Sequence, residues 1–220
     1  MSARTSADGS WKRMVFTDFD GTISSEETFA GMFEALVPDL AAQILPEIMA
    51  RRTSIRQGVR QLLHAIPEKR YHEVVEYVDD KSIRPGFGEL VDFLDRLGVP
   101  LVVVSGGLHD MVVRMLGPLT ERCHAIHALE TDFSGGFLDA HCAFESAEEL
   151  VAKEKVLEHY SPQIAVCVGD GVTDVNLAIR ARLVYARDRL CDYLDEQGLD
   201  YVRWNDFHDV RADLERRWKE

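Results

Sequence analysis

Three short clusters in this chain combine carboxylates, a hydroxyl and glycines at spacings that could do chemistry. The first is Asp18-Phe19-Asp20-Gly21-Thr22, the second Ser105-Gly106-Gly107, the third Gly169-Asp170-Gly171-Val172-Thr173-Asp174. Carboxylates two residues apart alternate sides in a regular strand but can converge where the chain turns, here at Gly21. Once converged they repel unless a cation or a shared proton relieves them. A hydroxyl beside free backbone N–H groups, as in Ser105-Gly106-Gly107, offers a phosphate-sized anion site. The glycines around Asp170 allow a sharp turn and close approach to a ligand. Taken singly, the first and third clusters also read as a turn with a helix cap, and the second as a common loop. Together, Asp18, Asp20 and Asp170 make a hard oxygen set suited to Mg²⁺, which favours a few carboxylates, water and substrate phosphate.

Each cluster follows a short apolar run. Residues 14–17, 101–104 and 164–168 are rich in β-branched side chains and read as strands buried on both faces. Residues 183–186 and 201–203 are weaker strand candidates. Helical periodicity marks residues 85–97, closed by Gly98, and residues 172–182. Strand, helix, strand is the repeated unit, so the expected fold is α/β: a Rossmann-like, doubly wound parallel sheet. In such sheets ligands bind at the C-terminal ends of the strands, where all three clusters stand.

The rhythm breaks between residues 26 and 83. No strand is expected there; four helical pieces fit, near 26–36, 39–50, 55–65 and 68–79, with Pro38 and Pro67 at joints and Ser54 capping the third. This predicts a small helical cap inserted after the first strand, with residues 11–25 and 84–220 forming the core and residues 1–10 a polar tail. Residues 126–144, with Ser134-Gly135-Gly136 between alternating segments, read as a hairpin.

The chain has 220 residues, 46% of them hydrophobic and 29% charged, with a formal net charge of -13. That balance excludes a disordered chain and argues against nucleic acid or anionic lipid as partner. No apolar run approaches the roughly 18 residues of a membrane span, and the first ten residues lack the apolar stretch of a signal peptide. Cys123, Cys142, Cys167 and Cys191 form no C-x-x-C pair, so reduced thiols in a cytoplasmic protein are expected rather than a zinc site.

In this order the clusters, with a lysine between the second and third, resemble the haloacid dehalogenase superfamily of phosphatases. That resemblance implies an aspartyl-phosphate mechanism on a small phosphate ester. Asp18 would be the nucleophile. Asp20 would protonate the leaving oxygen and then accept the proton of the attacking water. Dehalogenases of the superfamily lack this second aspartate. Ser105, the Gly106 N–H and a lysine would hold the phosphoryl oxygens. Asp18, Asp20 and Asp170 would bind Mg²⁺, with Asp174 orienting the groups around it. Thr22 is expected to cap a turn. Lys153 and Lys155 point to different faces of a helix; the family places its lysine three residues before an apolar pair, here Val156-Leu157, which selects Lys153.

Within the superfamily the chain resembles two families, the phosphoserine phosphatases and the 2-hydroxy-3-keto-5-methylthiopentenyl-1-phosphate phosphatases of methionine salvage. The second resemblance runs through residues 54–59, Ile83-Arg84-Pro85-Gly86-Phe87, Ala186-Arg187-Asp188 and Asp206-Phe207. Gly58 stands where phosphoserine phosphatases carry the arginine that grips the serine carboxylate, although Arg56 or Arg60 could compensate. Glu27 stands where those enzymes have a glutamate for the substrate amine; a helix-start acid is the other reading. The expected substrate is the salvage ester; the alternative is phosphoserine, another small metabolite phosphate, or phosphoryl transfer to an alcohol instead of water.

Overall fold

The computed structural model describes residues 11–219, so the expected tail at residues 1–10 lies outside the described residues. Seven strands form one sheet in the order β4-β3-β2-β1-β5-β6-β7. They are β1 (Arg13–Thr17), β2 (Leu101–Leu108), β3 (Ala125–Ser134), β4 (Phe137–His141), β5 (Ile164–Gly169), β6 (Leu183–Ala186) and β7 (Val202–Arg203). All neighbours pair in parallel except β3 with β4, which form the antiparallel hairpin turning at Gly135-Gly136.

Strand β1 lies at the centre because it has no solvent-facing side. Met14 and Phe16 point into one apolar layer and Val15 into the other, all fully buried. Period-two alternation between two covered faces is why residues 14–16 are all apolar. One layer lies under α5 (Phe87–Leu97) and α10 (Phe207–Arg217), with part of α6 (His109–Leu116). The other lies under α7 (Lys153–Tyr160), α8 (Val175–Arg180) and α9 (Asp188–Gln197). The expected helix over 172–182 is divided: a 3₁₀ turn takes Val172–Asp174 before α8 begins.

Between β1 and α5 come four helices, α1 (Thr28–Leu36), α2 (Pro38–Met49), α3 (Ile55–Leu63) and α4 (Tyr71–Glu76). Pro38 occupies the first turn of α2, where its missing N–H costs nothing. Ser54 Oγ accepts from the Gln57 N–H at 3.2 Å and caps α3. A bridge between Ser24 and Ile83 closes the base of this insertion. Its apolar residues do not form an isolated core: Met32, Phe33, Leu62 and Val74 are continuous with the Met14 and Phe16 layer.

The insertion is also stitched to the hairpin. Leu138 N–H donates to Ile66 O at 3.0 Å and Glu68 N–H to Gly136 O at 2.9 Å, which occupies the outer edge of β4. None of the helices among the described residues is long and apolar enough to cross a membrane. All four cysteines are free.

Candidate active site

The C-terminal ends of β1, β2 and β5 bring the three clusters together. Asp18 follows β1, and its N–H donates to Val168 O at 3.0 Å, so its placement is a continuation of the β1–β5 pairing. Asp170 follows β5, and the 3₁₀ turn brings Asp174 back over the strand end. Asp174 Oδ2 accepts from the Asp170 and Gly171 N–H groups, each at 3.0 Å. A Cβ on Gly169 would lie 2.5 Å from that oxygen, so only glycine permits the turn. One oxygen from each of Asp18, Asp170 and Asp174 lies within 4.8 Å of the others.

Lys153, at the start of α7, reaches into this cluster. Its Nζ lies 2.5 Å from Asp18 Oδ1 and 2.7 Å from Asp174 Oδ1, and it is 1% exposed. Lys155 instead points outward and donates to Glu145 O. Three buried carboxylates against one ammonium leave an uncompensated negative charge. Burial and the neighbouring Asp174 raise the Asp18 carboxyl well above the usual range, Lys153 only partly opposing them. Burial and Asp174 push Asp170 up to about 7. Burial disfavours the Lys153 charge, but Asp174 and Asp18 outweigh it and raise its pKa.

Asp20 departs from the expected metal set. Its Oδ1 accepts from the Thr28 N–H at 2.8 Å, the Phe29 N–H at 3.0 Å and the Thr28 hydroxyl. These are the unsatisfied donors at the start of α1, which is where a carboxylate is best placed. The Asp20 carboxylate therefore stands outside the acidic cluster, and Asp174 supplies its third member. The other oxygen, Oδ2, faces Gly107: a Cβ there would come within 3.0 Å of it and 3.3 Å of Ser105 Oγ. Burial raises the Asp20 carboxyl despite the three hydrogen bonds that hold its charged form.

Strand β2 runs on through Ser105-Gly106-Gly107 to Leu108, beyond its expected end, with a register shift between Val104 and Leu108. Ser105 is fully buried, and its Oγ accepts from the Gly107 N–H at 2.9 Å. This hydroxyl and Asp20 Oδ2 both flank Gly107.

Thr22 is not a turn cap. Its hydroxyl donates to Asp170 Oδ1 at 2.6 Å, across 148 residues of chain. Gly21 lets the loop come this close: at φ +71° it is left-handed, and a Cβ there would overlap Asp170 and approach Glu27 Oε1 to 3.0 Å. No spacing rule in the sequence carries such a long-range contact.

Of the two cap residues, one faces the site. Glu27 precedes α1 but makes no side-chain capping bond, against its helix-start reading. Burial, Asp20 and Asp18 push its carboxyl up to about 7, which records its proximity to the cluster. Arg56 is taken up elsewhere. Its guanidinium donates to Ser146 O at 2.6 Å and pairs with Glu145 at 2.7 Å, holding α3 onto the 145–148 loop. Gly58 is buried against α2, where a Cβ would overlap Ile48 and come within 3.0 Å of Ile44 Cγ2. It is a helix-packing position, not an emptied subsite, which corrects its use as a substrate determinant.

The family profile described as haloacid dehalogenase-like hydrolase matches residues 15–178. A 2-hydroxy-3-keto-5-methylthiopentenyl-1-phosphate phosphatase of Microcystis aeruginosa is 42% identical over 204 residues, covering 92% of this chain and 97% of that protein. A protein of the same name from Bacillus cytotoxicus is 30% identical over 212 residues, covering 91% and 95%. Among solved structures, one described as a phospho-aspartyl intermediate analogue of phosphoserine phosphatase superposes with a TM-score of 0.68 at 21% identity, over 92% of this chain and 98% of that one. That last likeness is one of fold. Since the family profile runs from β1 through the Asp170–Asp174 turn, and the relatives span nearly the whole chain, the protein belongs to the haloacid dehalogenase-like hydrolases and is a phosphatase of that family.

Proposed function

We propose that the chain is a Mg²⁺-dependent phosphatase that hydrolyses 2-hydroxy-3-keto-5-methylthiopentenyl-1-phosphate through an aspartyl-phosphate on Asp18. The observation that carries the chemistry is the division of labour between the two aspartates of the first cluster. Asp18 lies in the charged cluster with Lys153, while Asp20 is held apart on the start of α1.

A divalent cation fits the donor set. Asp18, Asp170 and Asp174 bring three carboxylates against the single charge of Lys153, and burial together with the neighbouring Asp174 raises the Asp18 and Asp170 carboxyls. Asp18 and Asp170 would hold Mg²⁺; Asp20 has its main-chain carbonyl to offer, since its carboxylate faces α1. When bound, the ion neutralises the charge between phosphate and carboxylate.

An Asp18 oxygen attacks phosphorus as the bond to the ester oxygen breaks. Asp20, whose carboxyl is raised by burial, delivers its proton to that oxygen. Water then attacks the phosphorus of the aspartyl-phosphate, Asp20 takes its proton, and inorganic phosphate leaves as Asp18 is regenerated. Ser105, the Gly106 N–H and Lys153 hold the phosphoryl oxygens as charge spreads over them. Asp174 keeps Lys153 in place at 2.7 Å.

The substrate assignment rests on the relatives and on what the cap lacks. Arg56 is committed to Glu145 and Ser146 O, and Arg60 faces Glu145 at 3.7 Å and Asp139 at 3.9 Å, on the hairpin side of α3. Phe29, whose Cβ lies 3.5 Å from a Cβ built on Gly107, offers an apolar surface beside the phosphate site. Phosphoserine would bring a carboxylate there without an arginine. Free thiols at all four cysteines suit a reducing compartment such as the cytoplasm. The test is kcat/KM for both esters side by side with Mg²⁺. The salvage ester is expected to be the better substrate, and a preference for phosphoserine would refute the assignment.

A further inference from the structure

We infer that Arg84, outside all three clusters, is a positioning residue that sets the Asp170 carboxylate through Thr22, and so tunes the cation site. The inference rests on the phosphatase reading, with Asp170 as a cation ligand. Arg84 stands at the return from the cap to the core. Its Nη2 donates to Gly21 O at 2.6 Å, its Nε to Thr22 O at 2.9 Å, and a longer contact reaches Ser24 O at 3.4 Å. Its own N–H donates to Ile23 O at 2.7 Å. The loop after Asp20 is thus held by one planar fork on successive carbonyls, a geometry an ammonium does not reproduce.

The consequence passes through Thr22. Fixing the Gly21 and Thr22 carbonyls fixes the Thr22 side chain, which is fully buried and donates to Asp170 Oδ1 at 2.6 Å. The guanidinium is itself anchored. It lies 5.7 Å from the centre of the Trp204 ring, with Arg187 against the same ring at 5.3 Å. The Trp204 indole N–H approaches Gly169 O, the carbonyl just before Asp170, at 3.4 Å. One guanidinium–indole pair therefore ties the loop after β1 to the end of β5, the two segments that carry Asp18 and Asp170. A residue that only closed the base of the cap would need the contacts to the loop but not a path to Asp170.

The test compares wild type with Arg84→Lys, Arg84→Gln, Thr22→Val and the Arg84→Gln/Thr22→Val double variant. Mg²⁺ binding to the substrate-free protein is measured by calorimetry, and kcat and KM on p-nitrophenyl phosphate at saturating Mg²⁺. Arg84→Gln is expected to weaken Mg²⁺ binding by about 10- to 100-fold, as losses of groups that orient metal ligands do. KM should change little. Arg84→Lys should recover only part of the loss, and it serves as the test variant if the glutamine form does not fold. The double variant should bind Mg²⁺ no more weakly than the worse single one, because both changes cut one path. Multiplying losses, or Mg²⁺ binding by the Arg84 variants equal to wild type, would overturn the inference while the phosphatase reading stands. A wild type that neither binds Mg²⁺ nor hydrolyses the ester would overturn both.

Discussion

Replacing Lys153 with methionine should separate the folding and catalytic roles of the buried cluster. The side chain keeps its length but loses the ammonium 2.5 Å from Asp18 and 2.7 Å from Asp174. All three groups are at least nine-tenths buried, so solvent cannot replace the lost partner. Breaking a buried ion pair from one side costs about 3–5 kcal/mol. For a chain of this size each kcal/mol shifts the melting temperature by about 2–4 °C, so the metal-free variant should melt roughly 6–20 °C below wild type. The loss should shrink in acid, where the Asp18 carboxyl, raised by burial and Asp174, can take up a proton and no longer needs the cation. On p-nitrophenyl phosphate with Mg²⁺, kcat should fall by about 10²–10³-fold, as when a preorganised donor to the transition state is removed. Melts in chelator from pH 5 to pH 8 and steady-state kinetics provide both readings. A variant that melts with wild type at pH 8 would refute the energetic account, and unchanged kcat would refute the phosphoryl role.

Exhaustive chelation should abolish turnover, and added Mg²⁺ should restore it. Asp18→Asn should be inactive, and phosphate from labelled ester should appear on Asp18 in quenched wild-type reactions but not in this variant. Asp20→Asn should slow turnover by about 10²-fold or more; a wild-type rate would exclude its acid–base role. The metal-free protein should lose stability as pH rises from about 4 to about 7. Asp170 has a folded pKa raised to about 7 against an ordinary 3.8, so the folded state binds more protons in that window and its advantage is lost on deprotonation. Mg²⁺ should therefore raise the melting temperature more at pH 8 than at pH 5, and an equal shift would count against the cluster as its site. Gly58→Arg should destabilise the cap through its clash with Ile48 rather than confer phosphoserine activity, read as a lowered melting temperature with no gain in kcat/KM for that ester.

The central strands were legible in the sequence because their signal is local. A run such as Met14-Val15-Phe16 has no polar side and must lie between two covered faces. The same holds for the caps and turns: Ser54 caps α3, Pro38 opens α2 and Gly98 closes α5 with a left-handed φ of +63°, as their residue types demand. The order of the three clusters was equally legible, since parallel strands carry their C-terminal ends to one edge of the sheet. The choice of Lys153 over Lys155 rests on the resemblance to the family and not on local periodicity. Residue spacing separates the faces of α7, but only the packing of that helix on the sheet turns Lys153 inward and Lys155 outward. The grouping of carboxylates, with Asp174 rather than Asp20 beside Asp18 and Asp170, was hidden for a related reason. The start of α1 supplies donors that capture Asp20, and the turn after β5 folds Asp174 onto the N–H groups of Asp170 and Gly171. Thr22 on Asp170, Arg84 on the Gly21 and Thr22 carbonyls, and Gly58 under Ile48 all join residues from separate elements. Local propensity and periodicity reach only a few residues along the chain, whereas these contacts exist only after the sheet, cap and loops have packed.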